Sequence, residues 1–262
     1  MEKLYVIKIG GNIIDDEQKL SSFLKTFAVI EGKKVLIHGG GKLATKLAAT
    51  LGVEQQMVEG RRITDAETLK IVTMVYAGYI NKNIVAQLQA NNCNTIGLCG
   101  ADGNVIKAHK RPLKNGIDYG FVGDVDEVNI NVLKSLIDQN IAVVLAPITH
   151  DESGQLLNTN ADTIAQETAK ALSRYYNVQL IYSFEKSGVL MNADDDNSVI
   201  ASINPSSYQQ LREKNIIFAG MIPKLDNAFA ALQNGVEKVI IGKAEQLHSL
   251  ITGSAGTSIV HE

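Results

Sequence analysis

The residues with the most chemistry in them lie in two short runs, KIGGN at 8–12 and VLIHGGGK at 35–42. Each reads as a buried strand that runs directly into adjacent glycines. A phosphate approaching the carboxyl end of a strand needs backbone N–H groups and no side chain in its path. Glycines supply both, and the positive end of a following helix adds to the attraction. One double glycine is also what any tight turn requires. Two at the ends of two early strands point to an anion site, because in open α/β sheets those ends share the edge where ligands bind. Lys8 sharpens the reading. It interrupts an otherwise apolar strand two residues before Gly10, and a lysine there is costly unless it meets an anion. Three further segments carry polar groups where a helix or strand should begin: EGRRITD (59–65), LLNTNAD (156–162) and GMIPK (220–224).

The remaining residues limit the alternatives. HGGGKLA lacks the spacing of a P-loop, and no G-x-G-x-x-G links a strand to a helix, so a dinucleotide-dependent oxidoreductase is disfavoured. A net charge of −3 argues against a nucleic-acid partner. No apolar run approaches the roughly 20 residues that span a bilayer. The first residues form a strand pattern, not a targeting peptide, so a cytoplasmic protein is expected. Cys93 and Cys99 have no histidines clustered near them and read as free thiols, and the consecutive Asp194–Asp196 reads as a solvated loop tip. No metal cage of protein ligands is expected.

The elements that must position these groups are legible by period. Short apolar runs at 4–10, 34–40, 94–100, 141–148, 178–184 and 237–242 fit strands buried on both faces. Helical patterns separate them. Val132, Leu133, Leu136 and Ile137 form one stripe. The helix after LLNTN has Asn160 and Asp162 as candidate caps. PKLDNAFAALQNG starts with proline and stops at Gly235. The expectation for 262 residues is an α/β fold: a three-layer αβα sandwich with a mostly parallel, open central sheet. A small antiparallel hairpin around Val105 and Phe121 lies beside it, and MNADDDNSVIAS reads as a second.

KIGGN, HGGG, GRRIT, LLNTNADTIA and AGMIPKLDNAF occur in the order and spacing of the amino acid kinase family, and the chain resembles that family over essentially its whole length. The set GRRIT, NTNAD and GMIPK favours the branch that acts on acetylglutamate. The resemblance implies transfer of the γ-phosphoryl of ATP to the side-chain carboxylate of an N-acylated glutamate. The acceptor is already an anion, so no general base is needed. It implies that Lys8 and Lys224 contact the moving phosphoryl and that Asp162 holds both. Gly10, Gly11 and Gly40 would offer N–H groups to phosphoryl oxygens. Gly40 and Gly41 match substrate-contacting glycines, Arg62 the clamp on the α-carboxylate with Arg61 beside it, and Asn158 a second contact to the amino-acid end. Asn160 is a further loop contact or a helix cap. Mg²⁺ would be held mainly by phosphate oxygens and water.

The resemblance also implies an N-terminal lobe (1–174) for the acyl amino acid and dimerisation, and a C-terminal lobe (175–262) for the nucleotide. Arginine-sensitive relatives carry an extra N-terminal helix, whereas this chain opens on its first strand, so an arginine-insensitive homodimer is expected. Two departures stand out. The family usually reads like SDVxGV after its fifth strand, where this chain has YSFEKSGVL with Glu185 and Lys186. Lys42 stands where relatives often have proline, and either adds charge near the acyl group or faces solvent. N-succinylglutamate as substrate, and a non-catalytic sensor of the same fold, are the alternatives.

Overall fold

A computed structural model describes residues 1–58, 60–113, 115–192, 194–217 and 221–261, with residue 223 described by its backbone alone. The opening residues of EGRRITD (59) and of AGMIPK (219–220), and residue 193 of the expected second hairpin, lie outside the described residues. The strands are β1 (Lys3–Ile9), β2 (Lys33–His38), β3 (Met57–Val58), β4 (Arg61–Arg62), β5 (Thr95–Leu98), β6 (Ile106–Lys110), β7 (Val122–Val128), β8 (Ala142–Leu145), β9 (Ile148–His150), β10 (Leu156–Thr159), β11 (Asn177–Phe184), β12 (Ser202–Ile203), β13 (Lys238–Lys243) and β14 (Thr257–Ile259). The helices are α1 (Gly11–Ile14), α2 (Glu17–Val29), α3 (Gly41–Thr50), α4 (Ala66–Thr73), α5 (Asn81–Ala90), α6 (Ile130–Ile137), α7 (Ala161–Leu172), α8 (Pro205–Glu213), α9 (Ile222–Gln233) and α10 (Leu247–Thr252).

The main sheet has the order β12-β14-β13-β11-β1-β2-β8-β5, and only β14 runs antiparallel to its neighbour β13. β1 sits at its centre because every residue from Leu4 to Ile9 except Lys8 is apolar and buried. Alternation along the strand divides these side chains between two layers. Leu4 and Val6 join a core with Leu133, Ile164 and Leu225 from α6, α7 and α9. Tyr5, Ile7 and Ile9 join one with Phe23, Ile84 and Leu250 from α2, α5 and α10. The same parity puts Lys8 on the α7–α9 side. The αβα sandwich is therefore as expected, on one continuous sheet.

The structure corrects the sequence reading in three places. The run 141–148 is two strands: β8 ends at Leu145, Pro147 intervenes, and β9 joins another sheet. The expected hairpin around Val105 and Phe121 exists as β6 and β7, but β9 and β10 close it into a four-stranded barrel. Among the described residues the second hairpin forms no regular strands and shows an isolated bridge, Leu190 to Val199.

One device fixes the glycine turn after β2. Residues Met74–Ile80, between α4 and α5, form a π-helical segment, a feature that often marks functional positions. It packs Tyr76 and Ile80 against Gly40, which has φ +150; a Cβ there would sit 2.3 Å from Ile80 Cδ1. Only glycine fits.

His38, at the end of β2, is fully buried and is pinned on both sides. Its Nδ1 donates to the carbonyl of Gly39 at 2.8 Å, and its Nε2 accepts from Asn81 Nδ2 at 3.3 Å. Burial lowers its pKa to about 4. The unfolded chain takes up this proton near pH 6.5 while the folded chain refuses it until about pH 4. Stability is thus lost as pH falls through that window, by about 3 kcal/mol from this residue. Urea titrations of wild type and His38→Gln between pH 7 and pH 4 should show this loss in the wild type and a shallower slope in the variant.

Candidate active site

The principal cleft has a volume of about 490 Å³ and lies at the carboxyl ends of β1 and β2, between the main sheet and the barrel rim. Its floor carries three charged side chains from three elements. Lys8 reaches in from β1. Asp162 stands in the first turn of α7, and Lys224 in the first turn of α9. Asp162 Oδ1 is 2.7 Å from Lys8 Nζ, and Asp162 Oδ2 accepts from Lys224 Nζ at 2.9 Å. Burial works to raise the Asp162 pKa, but the two ammoniums outweigh it and bring it down to about 2. One carboxylate thereby orients two cations toward a shared space.

The local sequence explains how Asp162 is freed for this. Asn160 and Asp162 are both candidate caps by type, but Asn160 takes the role alone. Its side chain accepts from the N–H groups of Asp162 and Thr163 at 2.7 and 3.3 Å. Asp162, two residues further, turns to the lysines. Asn160 also lines the cleft, so its cap and its place on the wall are compatible.

The glycine turns divide in role. Gly39, Gly40 and Gly41 line the cleft, and Gly41 opens α3. Gly10 and Gly11 do not line it. The N–H of Gly10, expected to face a phosphoryl, donates instead to Ser183 O at 3.2 Å. The parallel ladder between β1 and β11 continues one residue past β1 and consumes that donor. Gly11 begins α1 and adjoins the other turn, since a Cβ on Gly39 would lie 4.0 Å from its nitrogen.

The far wall comes from the β3–β4 ribbon and the barrel. Arg62 is anchored by Gly41 O at 2.9 Å, by Thr45 Oγ1 at 2.9 Å and by the side-chain oxygen of Gln55. Arg61 also lines the cleft but is exposed. Asn158, on β10, donates through Nδ2 to Thr64 Oγ1 at 3.0 Å. Lys42 does not reach this wall. It faces a second hollow on the other side of the strand ends, so it is not placed to meet an acyl group here.

Two wall residues with a charged or amide side chain escaped the sequence reading. Arg111 follows β6 and lies over the Tyr119 ring at 5.6 Å. Its Nε and Nη2 donate to Asp124 at 2.6–3.2 Å. Nothing in the hairpin pattern singles it out. Asn227 lies three residues after Lys224 on α9, and the helical spacing could have found it. Among the described residues no group of three or more His, Cys, Asp or Glu could hold a metal, and no helix is long and apolar enough to cross a membrane.

Residues 3–243 match the amino acid kinase family. The chain is 58% identical over 262 residues to the acetylglutamate kinase of Cytophaga hutchinsonii, covering 99% of each chain. Its fold is similar to that of carbamate kinase from Giardia lamblia bound to AMP-PNP, with TM-score 0.72 and 17% identity, over 100% of this chain and 99% of that one. It is also similar to N-acetylglutamate synthase from Neisseria gonorrhoeae complexed with coenzyme A and N-acetyl-glutamate, with TM-score 0.83 and 23% identity. The match covers all of this chain, which spans 60% of that synthase's length. On sequence and on fold alike, the chain belongs to the amino acid kinase family.

Proposed function

We infer that the chain transfers the γ-phosphoryl of ATP to the γ-carboxylate of N-acetyl-L-glutamate, giving N-acetyl-L-glutamyl 5-phosphate and ADP, a step of arginine biosynthesis. The observation that carries the mechanism is the Lys8–Asp162–Lys224 unit on the cleft floor beside Gly39–Gly41. A carboxylate oxygen of the substrate attacks the γ-phosphorus, and the bond to the β–γ bridging oxygen breaks, leaving with ADP. No proton moves. What the reaction requires is cations and N–H donors held where charge spreads over the transferring group. Lys8 and Lys224 supply the charge, while Asp162 holds their positions. Gly40 and Gly41, with Gly11 at the adjoining turn, supply backbone close to the phosphoryl path. Gly10 contributes there by having no side chain. Mg²⁺ would arrive on the nucleotide, held by phosphate oxygens and water.

Arg62 clamps the α-carboxylate, and Asn158 takes the same end of the substrate. The ties of Arg62 to Gly41, Thr45 and Gln55 preorganise its guanidinium. Arg62→Ala should raise the KM for N-acetylglutamate by about 10- to 100-fold with kcat changed far less, since it removes ground-state binding. Initial-rate kinetics at saturating ATP check this.

We propose that residues 1–174 bind the acyl amino acid and residues 175–262 the nucleotide. Assembly is proposed as a homodimer, for which the exposed Met74 and Tyr79 on the π-helical segment offer an apolar seat, and the location as the cytoplasm, which suits the free thiols Cys93 and Cys99. A second reading keeps the reaction but takes N-succinyl-L-glutamate; Arg61 and Arg111 on the cleft wall are its physical ground. Hydroxylamine traps only an acyl phosphate. ATP-dependent hydroxamate formation from N-acetylglutamate tests the activity, and its absence with either acyl substrate would leave only a sensor. Turnover on the acetyl compound equal to or above that on the succinyl one ends the second reading.

A further inference from the structure

Lys42 is the second residue of α3, where a cation opposes the positive end of the helix dipole. Its ammonium donates to Asn12 Oδ1, and Asn12 Nδ2 donates to Glu185 Oε2. Asn12 follows the glycine turn after β1, Lys42 the one after β2, and Glu185 follows β11 directly. These strands are neighbours in the order β11-β1-β2. The bridge therefore spans three adjacent strand ends. It walls a second hollow of about 410 Å³, to which Asp15, Lys19, Lys243 and Glu245 also contribute, and which shares no lining residue with the substrate cleft.

We propose that Lys42 is a phosphate-binding cation for the donor nucleotide and that Glu185, acting through Asn12, is its built-in competitor. The proposal rests on the kinase reading and names the residue that takes hold of the donor. Lys42 has three N–H donors, of which one goes to a neutral amide oxygen, with the Asp15 carboxylate within electrostatic reach. A phosphate oxygen, being charged, is the stronger acceptor. The Asn12 amide is oriented by both partners at once, so its dipole is aligned from Glu185 toward Lys42, and each bond strengthens the other. When a polyphosphate enters along the strand ends, Lys42 exchanges Asn12 for it and the bridge opens. Glu185 opposes that exchange twice: it steadies Asn12 on Lys42, and its charge repels phosphate.

The signs of two variants separate this from a purely structural brace. Mg·ADP binding to the full chain is measured by calorimetry, and KM for ATP by initial rates. Lys42→Met should weaken ADP binding and raise the KM for ATP about 10-fold, leaving the KM for N-acetylglutamate within about twofold, and Lys42→Arg should recover most of the loss. Glu185→Gln should tighten ADP binding about threefold. A brace would make both variants weaken binding. Weaker or unchanged binding in Glu185→Gln, or unchanged binding in Lys42→Met, overturns the proposal. ADP binding is read without any acyl acceptor, so failure of the wild type to bind nucleotide would count against the kinase reading instead.

Discussion

Lys8→Ala is expected to lower turnover on the order of 10²-fold or more and to leave the fold intact. The fold survives because Lys8 is the one cleft-facing, polar position of β1. The strand's hold on the sheet comes from its ladders to β11 and β2 and from Leu4, Val6, Ile7 and Ile9, all of them fully buried. Turnover falls because the ammonium is aimed, through Asp162 at 2.7 Å, at the space where charge develops. Water cannot replace it at no cost, since solvent dipoles would have to reorganise during the reaction. Rapid-quench measurement of the chemical step with circular dichroism on the same sample checks both halves. Near-normal turnover in a folded variant would remove Lys8 from the mechanism.

Asp162→Asn should cost a comparable factor in kcat although the residue carries no charge toward the substrate. Without the carboxylate, Lys8 and Lys224 face each other as like charges over one amide and separate. The same variant has a second readout. In the wild type the two ammoniums, against the effect of burial, hold Asp162 ionised down to about pH 2, below the 3.8 of an ordinary aspartate. The stability this contributes is complete above pH 3.8 and is lost as pH falls from there toward 2, about 2 kcal/mol in all. Asp162→Asn should lack that acid step. The loss attributed to His38 lies at higher pH, so the two are resolved in one titration series. An Asp162→Asn protein with wild-type kcat would show that the lysines need no shared anchor.

Much of this was legible because the physics is local. Strands buried on both faces are continuous apolar runs, so six of the eight main-sheet strands are visible in the sequence, and the short β12 and β14 are not. Lys8 was conspicuous for the same reason, as a charge in such a run. The barrel was not legible. β9 and β10 have only three and four residues, and its closure rests on pairings such as Lys107 with His150 that no local period encodes. Arg111 becomes a wall residue only through that closure. The role of the Gly10 amide was misread because its acceptor, Ser183, belongs to a strand far along the chain. The choice between Asn160 and Asp162 as cap turned on a two-residue difference in which both types are good caps, and only the lysines' position decides it.

The most direct test compares affinities for ground state and transition state. Wild type and Lys8→Ala are titrated with Mg·ADP alone and with Mg·ADP, N-acetylglutamate and aluminium fluoride, which together imitate the phosphoryl in flight. Loss of affinity for the second mixture by about 100-fold or more, with ADP binding changed less than about threefold, is the result expected of a cation that acts chiefly on the moving phosphoryl. Equal losses for both mixtures, or none for either, would contradict it.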